Sequence, residues 1–370
     1  MKKAFLICIL WSGFVQATDD SEVQQHRQQA QMLSQAFHQL EPLLRQHITS
    51  DELAVPVTRI YQAAPGLAVS QQLQHDDLQV RRRMGVTAVS EQLLQLRLAH
   101  PDMLARWQGG QSPLFAFRPA GLEAQWQYIE AYDVNGNIHL LDPYDIPEYP
   151  VLVLDTDNKK ALQAALQTLR HALAKANLQP SALHATTADK ASQPASLSTT
   201  VVKKIFLHDN KEPWILGKSE IYAIVTGIKP DRDEVVIDIV DMPYLDYAKR
   251  DYYPNQILIH WQRYRWGAAD IILMEQDSNT NYKALAQTLL NAASDVMQMI
   301  PEPQLQGYAL IPQITARILQ AIPDSWLTNS DDVVDVYYTI MQDQYYQDHY
   351  GASANAVATF EPLTIPLTRP

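Results

Sequence analysis

Carboxylates collect at the turns of the second half of this chain. Asp209 and Glu212 follow one apolar run, Glu220 opens the next, and Asp241 and Asp246 flank a turn. Glu275 and Asp277 close a further run, with Asn279 and Asn281 behind them, and Asp331-Asp332 opens another. If these ends coincide, several carboxylate and amide oxygens gather at one edge. Such a set suits calcium, which takes roughly six to eight oxygen ligands at about 2.3–2.6 Å. The candidate ligands are Asp209, Glu212, Glu220, Asp246, Glu275 and Asp277. An ion, or lysines such as Lys211 and Lys218, has to offset their mutual repulsion. Ordinary turn chemistry competes with this reading, because Asp and Asn favour turns in any case.

Aromatic residues crowd the same region, among them Trp214, Tyr244, Tyr247, Trp261 and Trp266. Flat faces suit a carbohydrate, and Glu275 with Asp277 could supply the paired carboxylates of a glycosidase. A β-sheet core uses the same residue types. Other catalytic signatures are absent. There is no His-Glu-x-x-His, no Gly-x-Ser-x-Gly, no phosphate-binding loop and no dinucleotide-binding glycine pattern. Gly217-Lys-Ser219-Glu-Ile221 begins like a nucleophile elbow but lacks the last glycine. The histidines are scattered. His208 and His260 fall on expected strands, where a lone histidine is more often structural.

The elements that must position these residues follow from periodicity. In the second half, strands are expected at 201–208, 219–226, 234–241, 255–262, 268–275, 333–340 and 355–361. Val235, Ile237 and Ile239 share one face, with Asp238 on the other. Helices are expected at 281–299 and 309–322, stopped by Pro301 and Pro323. Earlier, Leu33, Phe37, Leu40, Leu44 and Ile48 form one stripe of a helix over 20–48, and Pro42 should kink or split it. A second helix is expected near 87–99, and a third runs from Pro101 to Gly109-Gly110. Asn135-Gly136 marks a tight hairpin turn between 126–134 and 137–141. A short strand, Pro150 to Leu154, leads through Asp155 and Asp157 into a helix at about 159–175. Residues 151–173 and 271–293 echo each other as strand, acidic turn and helix, which either duplication or convergence explains.

This pattern predicts an α+β N-terminal domain followed by a mainly β C-terminal domain, a β-sandwich with inserted helices. The boundaries expected are a signal peptide at 1–17, the first domain at 18–177, a linker at 178–200 rich in Ala, Ser, Thr and Pro, and the sandwich at 201–370. The signal reading rests on Lys2-Lys3, the apolar run 4–15, and Val15-Gln16-Ala17 ahead of Asp19-Asp20. It implies an exported protein, periplasmic, at the cell surface or secreted. The one cysteine, Cys8, lies inside that segment, so no disulfide, thiol nucleophile or zinc–thiolate site remains after cleavage. Net charge is −12. Losing Lys2 and Lys3 takes it to −14, which disfavours nucleic acid and anionic lipid as partners. The isolated cluster Arg81-Arg82-Arg83 reads as a solvated helix surface. No later segment is apolar enough to span a membrane.

Several long blocks resemble an uncharacterised family of exported proteobacterial proteins, a domain-of-unknown-function family. They include Glu212-Pro-Trp214-Ile-Leu-Gly217, Asp241-Met-Pro-Tyr-Leu-Asp246-Tyr247, His260-Trp-Gln-Arg-Tyr-Arg-Trp266 and Asp331-Asp-Val-Val-Asp335-Val-Tyr337. The likeness extends to Phe115-Ala-Phe117 and Ile129-Glu-Ala-Tyr-Asp133, and so covers nearly the whole chain after residue 17. It implies export and carries over no activity, site residue or cofactor. Three functions are therefore weighed. The first is a non-enzymatic binding or structural protein stabilised by calcium. The second is a carbohydrate-active hydrolase using Glu275 or Asp277 near Trp266. The third is a protease-associated or inhibitory module.

Overall fold

The computed structural model describes residues 14–89, 92–119, 125–179, 196–208, 214–217, 219–230, 234–276, 280–298, 310–322 and 333–366. Most of the segment read as an export signal lies outside them, as does most of 178–200. By contact the chain forms two compact units. One is 1–77, 94–155 and 212–217; the other is 78–93, 156–211 and 218–370. The first unit thus takes back a short piece of the second half, and the helix after residue 157 belongs with the second unit.

The first unit is built on α1 (Phe14–His47) and a six-stranded sheet, A, in the order β1-β2-β6-β3-β4-β5. Its strands are β1 (Ala54–Pro56), β2 (Leu94–Leu98), β3 (Leu114–Ala116), β4 (Ile129–Tyr132), β5 (Ile138–Leu141) and β6 (Val151–Thr156). The apolar stripe of α1 is the core-facing one: Leu33, Phe37, Leu40, Leu44 and Ile48 are all buried. Phe37 meets Phe115 of β3 edge-on, ring centroids 5.9 Å apart. Pro42 lies inside one continuous helix. Just past it, the Arg45 guanidinium sits 3.8 Å over the Trp107 ring and donates to the carbonyls of Trp107 and Gln111. Short helices α2 (Val57–Ala63) and α4 (Leu104–Gln108) complete the unit, and α3 (Ala68–Arg83) runs on from it into the second.

Two expectations are corrected here. The helix expected near 87–99 is a strand over Leu94–Leu98: Leu94, Leu96 and Leu98 are buried, with Gln95 and Arg97 between them. The period is two, which is that of a strand. The helix surface expected at Arg81–Arg83 is the last turn of α3, whose full length from Ala68 was not expected because its inner face is partly polar. Val69 and Leu73 are buried together with Ser70, Asp76 and Asp77.

The second unit stacks two sheets and a helical layer. Sheet B has the order β10-β7-β15-β14, with β11 also on β7; sheet C has the order β13-β12-β8-β9. The strands are β7 (Ser196–Leu207), β8 (Ile221–Ile228), β9 (Val235–Asp241), β10 (Asp251–Tyr252), β11 (Gln256–His260), β12 (Ala268–Glu275), β13 (Val333–Met341), β14 (Tyr346–Tyr350) and β15 (Ala356–Pro366). Strand β7 therefore starts inside the stretch read as linker. Val202, Ile205 and Phe360 from sheet B pack against Ala223, Val225, Ile271 and Tyr337 from sheet C, forming the sandwich core. The other face of sheet C, with Tyr222, Ile224, Ile237 and Ile272, packs on α5 (Asn158–Lys175), α6 (Tyr282–Gln298) and α7 (Leu310–Ala321). Both faces of sheet C are covered, so every residue of β8 is buried and the strand reads as an unbroken apolar run. Ile311, Ile314 and Ile318 of α7 are fully buried, each worth about 1.5–3 kcal/mol relative to exposure. The fold is thus α+β with a mainly β C-terminal region.

Candidate functional site

The ends of the central strands of sheet C do coincide. Tyr222 pairs with Asp241, and Ile221 with Glu275. The Gln276 N–H donates to the Glu220 carbonyl at 2.9 Å, and the Met242 N–H to the Ile221 carbonyl at 3.1 Å. Glu220, Asp241 and Glu275 therefore share one end of the sheet. The pleat separates two of them, since directly paired residues lie on one face. Glu275 goes with Ile221, on the sandwich side, and Asp241 with Tyr222, on the helical side. Asp246 lies in the turn beyond β9 and accepts the Tyr252 hydroxyl at 3.0 Å. Asp209, Glu212 and Asp277 lie outside the described residues. Among the described residues, no three His, Cys, Asp or Glu side chains are grouped to hold a metal.

Asp241 faces a shallow, open depression lined by Gln163, Leu166, Gln167, Arg170 and His171 of α5. Burial raises the pKa of its carboxyl, opposed by the positive charges of Arg170 and Lys159. The Arg170 guanidinium is committed elsewhere, donating twice to the Ile239 carbonyl. Gln256 fixes the backbone here: its Nε2 donates to the Asp241 carbonyl at 2.7 Å while its Oε1 accepts the Tyr244 hydroxyl at 2.7 Å.

The aromatic and histidine candidates are dispersed. Tyr222 belongs to the helical-side core, Trp261 and Tyr264 to the sandwich core, and Trp214 to the first unit. His260 pairs with Thr199 near the start of β7, whereas His208 follows its end. At about 3.3 Å per residue the two are roughly 30 Å apart, so they form no common site.

Sequence reasoning missed two buried carboxylates of the second unit, Asp270 and Asp335. Asp270 is fully buried on β12. Its Oδ1 accepts from the Thr339 N–H at 2.7 Å, where β13 bulges and Thr339 has φ +54°. Its Oδ2 has no hydrogen-bond partner, although the Thr315 hydroxyl of α7, itself 3.0 Å from that of Thr226, is close by. Burial pushes the carboxyl up to about 6, against the opposing pull of the Thr339 N–H and the nearby Thr315 hydroxyl. Asp335 is better served, accepting from the N–H groups of Val336, Ser353 and Ala356 at 2.7–2.8 Å. In the first unit Asp76 is likewise satisfied, by the side-chain amides of Gln25, Gln29 and Gln72. Asp335 and Asp76 are structural anchors, their oxygens occupied by the chain's own donors.

The exposed chemistry of the first unit lies around its hairpin. Asp133 organises the turn. Its N–H donates to Asn137 O, its carbonyl accepts from Gly136 N–H, and its carboxylate accepts from Asn135 N–H, Asn137 N–H and the Asn137 side chain. Those bonds, led by the Asn137 side chain, hold its pKa down at about 2. Only Gly136, φ +85°, takes a left-handed conformation, so this is a three-residue loop closed by a glycine rather than a two-residue Asn-Gly turn. The strand that follows, β5, is the edge of sheet A. Ile138 and Leu140 are 61% and 62% exposed, and Tyr128, Tyr144, Ile146 and Tyr149 are exposed as well. On the opposite face of β5, the His139 ring lies 6.5 Å from that of Tyr149. The loop after β5 is pinned by the Trp214 indole N–H, which donates to the Asp142 carbonyl at 2.9 Å. Next to Trp214, Ile215 offers its carbonyl to Arg97, which also holds Asp155 at 2.8–2.9 Å.

No curated protein and no solved structure matches the chain. The family model described as "Protein of unknown function (DUF3103)" matches residues 26–368, which is nearly the whole chain, and the protein belongs to that family.

Proposed function

We propose that this is an exported, non-enzymatic binding protein that engages another polypeptide through the β4–β5 surface of its first unit. The observation that carries this reading is the apolar edge strand. Ile138 and Leu140 are more than half exposed on a strand that, among the described residues, pairs only with β4, and Tyr128, Tyr144 and Tyr149 on either side of it in sequence are exposed too. An exposed apolar edge of this kind marks an interaction site or an aggregation hazard. Export is supported by Lys2-Lys3, the apolar run 4–15, and small residues at Val15 and Ala17. N-terminal sequencing of protein from its host should begin at Thr18, and a start at Met1 would remove that part.

The binding reading is tested by selecting a random peptide-display library against the full chain. Peptides should emerge whose binding is lost in Leu140→Lys. A selection that yields no peptide able to distinguish wild type from Leu140→Lys sinks the reading.

Calcium at the acidic end of sheet C is the second reading, supported by Glu220 and Glu275 sharing one end of the sheet. A ligand bound only by the folded state raises stability by RT ln(1 + [L]/Kd). A Tm several degrees higher in millimolar calcium than in chelator supports it, and identical values set it aside. The hydrolase alternative has less behind it. Trp266 packs against the helical-side core, whereas Glu275 shares the sandwich face with Ile221.

A further inference from the structure

We propose that the outer edge of β5 takes up a short basic segment of a partner polypeptide, which adds to sheet A as a further strand. This rests on the reading above and names the chemistry of the partner. The edge invites a strand because β4 uses only one side of β5. An edge strand presents a row of N–H and C=O groups that a second chain can pair with.

Proteins normally guard such edges with charge or proline. Most other edges here follow that rule: β1 carries Pro56, β9 Asp238 and Asp241, β10 Asp251 and β14 Asp348, whereas β11 carries neither. Strand β5 reads Ile138-His139-Leu140-Leu141, with neither. Its two faces also suit an added strand. Side chains of such a strand would alternate between the Ile138 and Leu140 side and the His139 and Tyr149 side.

Charge selects the partner. Between Arg118 and Lys159 the chain has no lysine or arginine. That span supplies the whole hairpin surface, and it carries Asp142, Asp145 and Glu148 directly after β5. Asp142 uses its carboxylate to cap the N–H groups of Tyr144 and Asp145. Asp145 and Glu148 are exposed and make no ion pair among the described residues. A second copy of the chain would set two like-charged molecules against each other, each −14 once Lys2 and Lys3 are lost. Lysines or arginines on the incoming segment would instead meet opposite charge. Four paired residues span only about 13 Å, so backbone pairing alone is weak and the charges supply selectivity.

The probe is a fluorescent eight-residue peptide of alternating Lys and Val, titrated against the full-length protein at low salt. Binding should be seen by anisotropy and should protect the amides of 138–141 from hydrogen exchange. N-methylation of alternate peptide amides on the pairing side should weaken it about fivefold or more, as loss of two backbone hydrogen bonds implies. Leu140→Lys should weaken it to a similar extent. The double variant Asp145→Lys, Glu148→Lys should both weaken it and flatten its salt dependence, and a Glu/Val peptide should not bind. Equal binding of the N-methylated peptide overturns strand addition. Equal binding of the Glu/Val peptide overturns the charge assignment. Self-association of the protein, dissolved by Leu140→Lys, makes a second copy the occupant and overturns the proposal. If library selection instead returns acidic peptides that depend on Leu140, the binding reading stands and this inference alone falls.

Discussion

Asp270 is a carboxyl whose charge the fold resists. Its pKa lies about 6 in the folded protein, above the ordinary aspartate value, because burial penalises the anion. The folded state therefore holds the proton more tightly than the unfolded state does. The stability linked to this group is fully present below about pH 4 and is lost as pH rises through about 6. A shift of roughly two units corresponds to about 3 kcal/mol. Asp270→Asn keeps an oxygen for the Thr339 N–H and removes the charge. Urea unfolding should show the variant more stable than wild type at pH 7, with the difference vanishing by pH 4. A difference independent of pH would mean that another group titrates. Asp335 makes the opposite case, a carboxylate fully engaged by backbone donors. A Cβ on Gly351 would overlap that carboxylate. Gly351→Ala should therefore cost about 1–3 kcal/mol, the usual range for overpacking, read as a lower denaturation midpoint with an unchanged slope.

At the scale of elements, β12 spans 268–275 as expected, and β9, α6 and α7 fall within a residue or two of their expected bounds. They were legible because sheet C is covered on both faces and the helices bury one continuous stripe. Strand β2 was not, because Leu93, Leu94, Leu96 and Leu98 also contain the three- and four-residue spacings that a helix uses. Strands β10 and β14 were missed for another reason: β10 has two residues, and Tyr346, Asp348, His349 and Tyr350 give β14 no apolar alternation. The candidate site was half legible. The shared end of β8, β9 and β12 followed from strand boundaries, whereas the opposite faces of Asp241 and Glu275 depend on register. Asp270 and Asp335 gave no sign, since a buried aspartate and a turn aspartate are the same letter. That β5 lies at an edge is likewise a property of long-range strand order. The hairpin that presents β5 is testable on its own terms. Gly136 has φ +85° and open space around it, so Gly136→Ala meets no clash and pays only for backbone conformation. That cost is about 1–2 kcal/mol. Tm should fall accordingly, whereas Gly66→Ala, in open space with no left-handed φ, should leave it nearly unchanged.

Across the whole molecule, the chain does not divide at one point. Helix α5 supplies Leu162, Leu166 and Leu169 to the core of the second unit, yet it precedes 180–195. Trp214 and Ile215 follow that stretch, yet they bond to Asp142 and Arg97 in the first unit. A protease site engineered between 180 and 195 should therefore give, after cleavage, two pieces that co-elute until denaturant is added. Pieces that separate freely in native buffer would show that these contacts do not hold. The return of 212–217 also sets a schedule for synthesis. The first unit has most of its residues by Asp155 but lacks its last piece until Gly217, about 60 residues later. At roughly 5–20 residues per second the nascent chain waits several seconds with that unit unfinished. During that interval the Asp142 carbonyl and the Arg97 guanidinium have no Trp214 or Ile215 to meet.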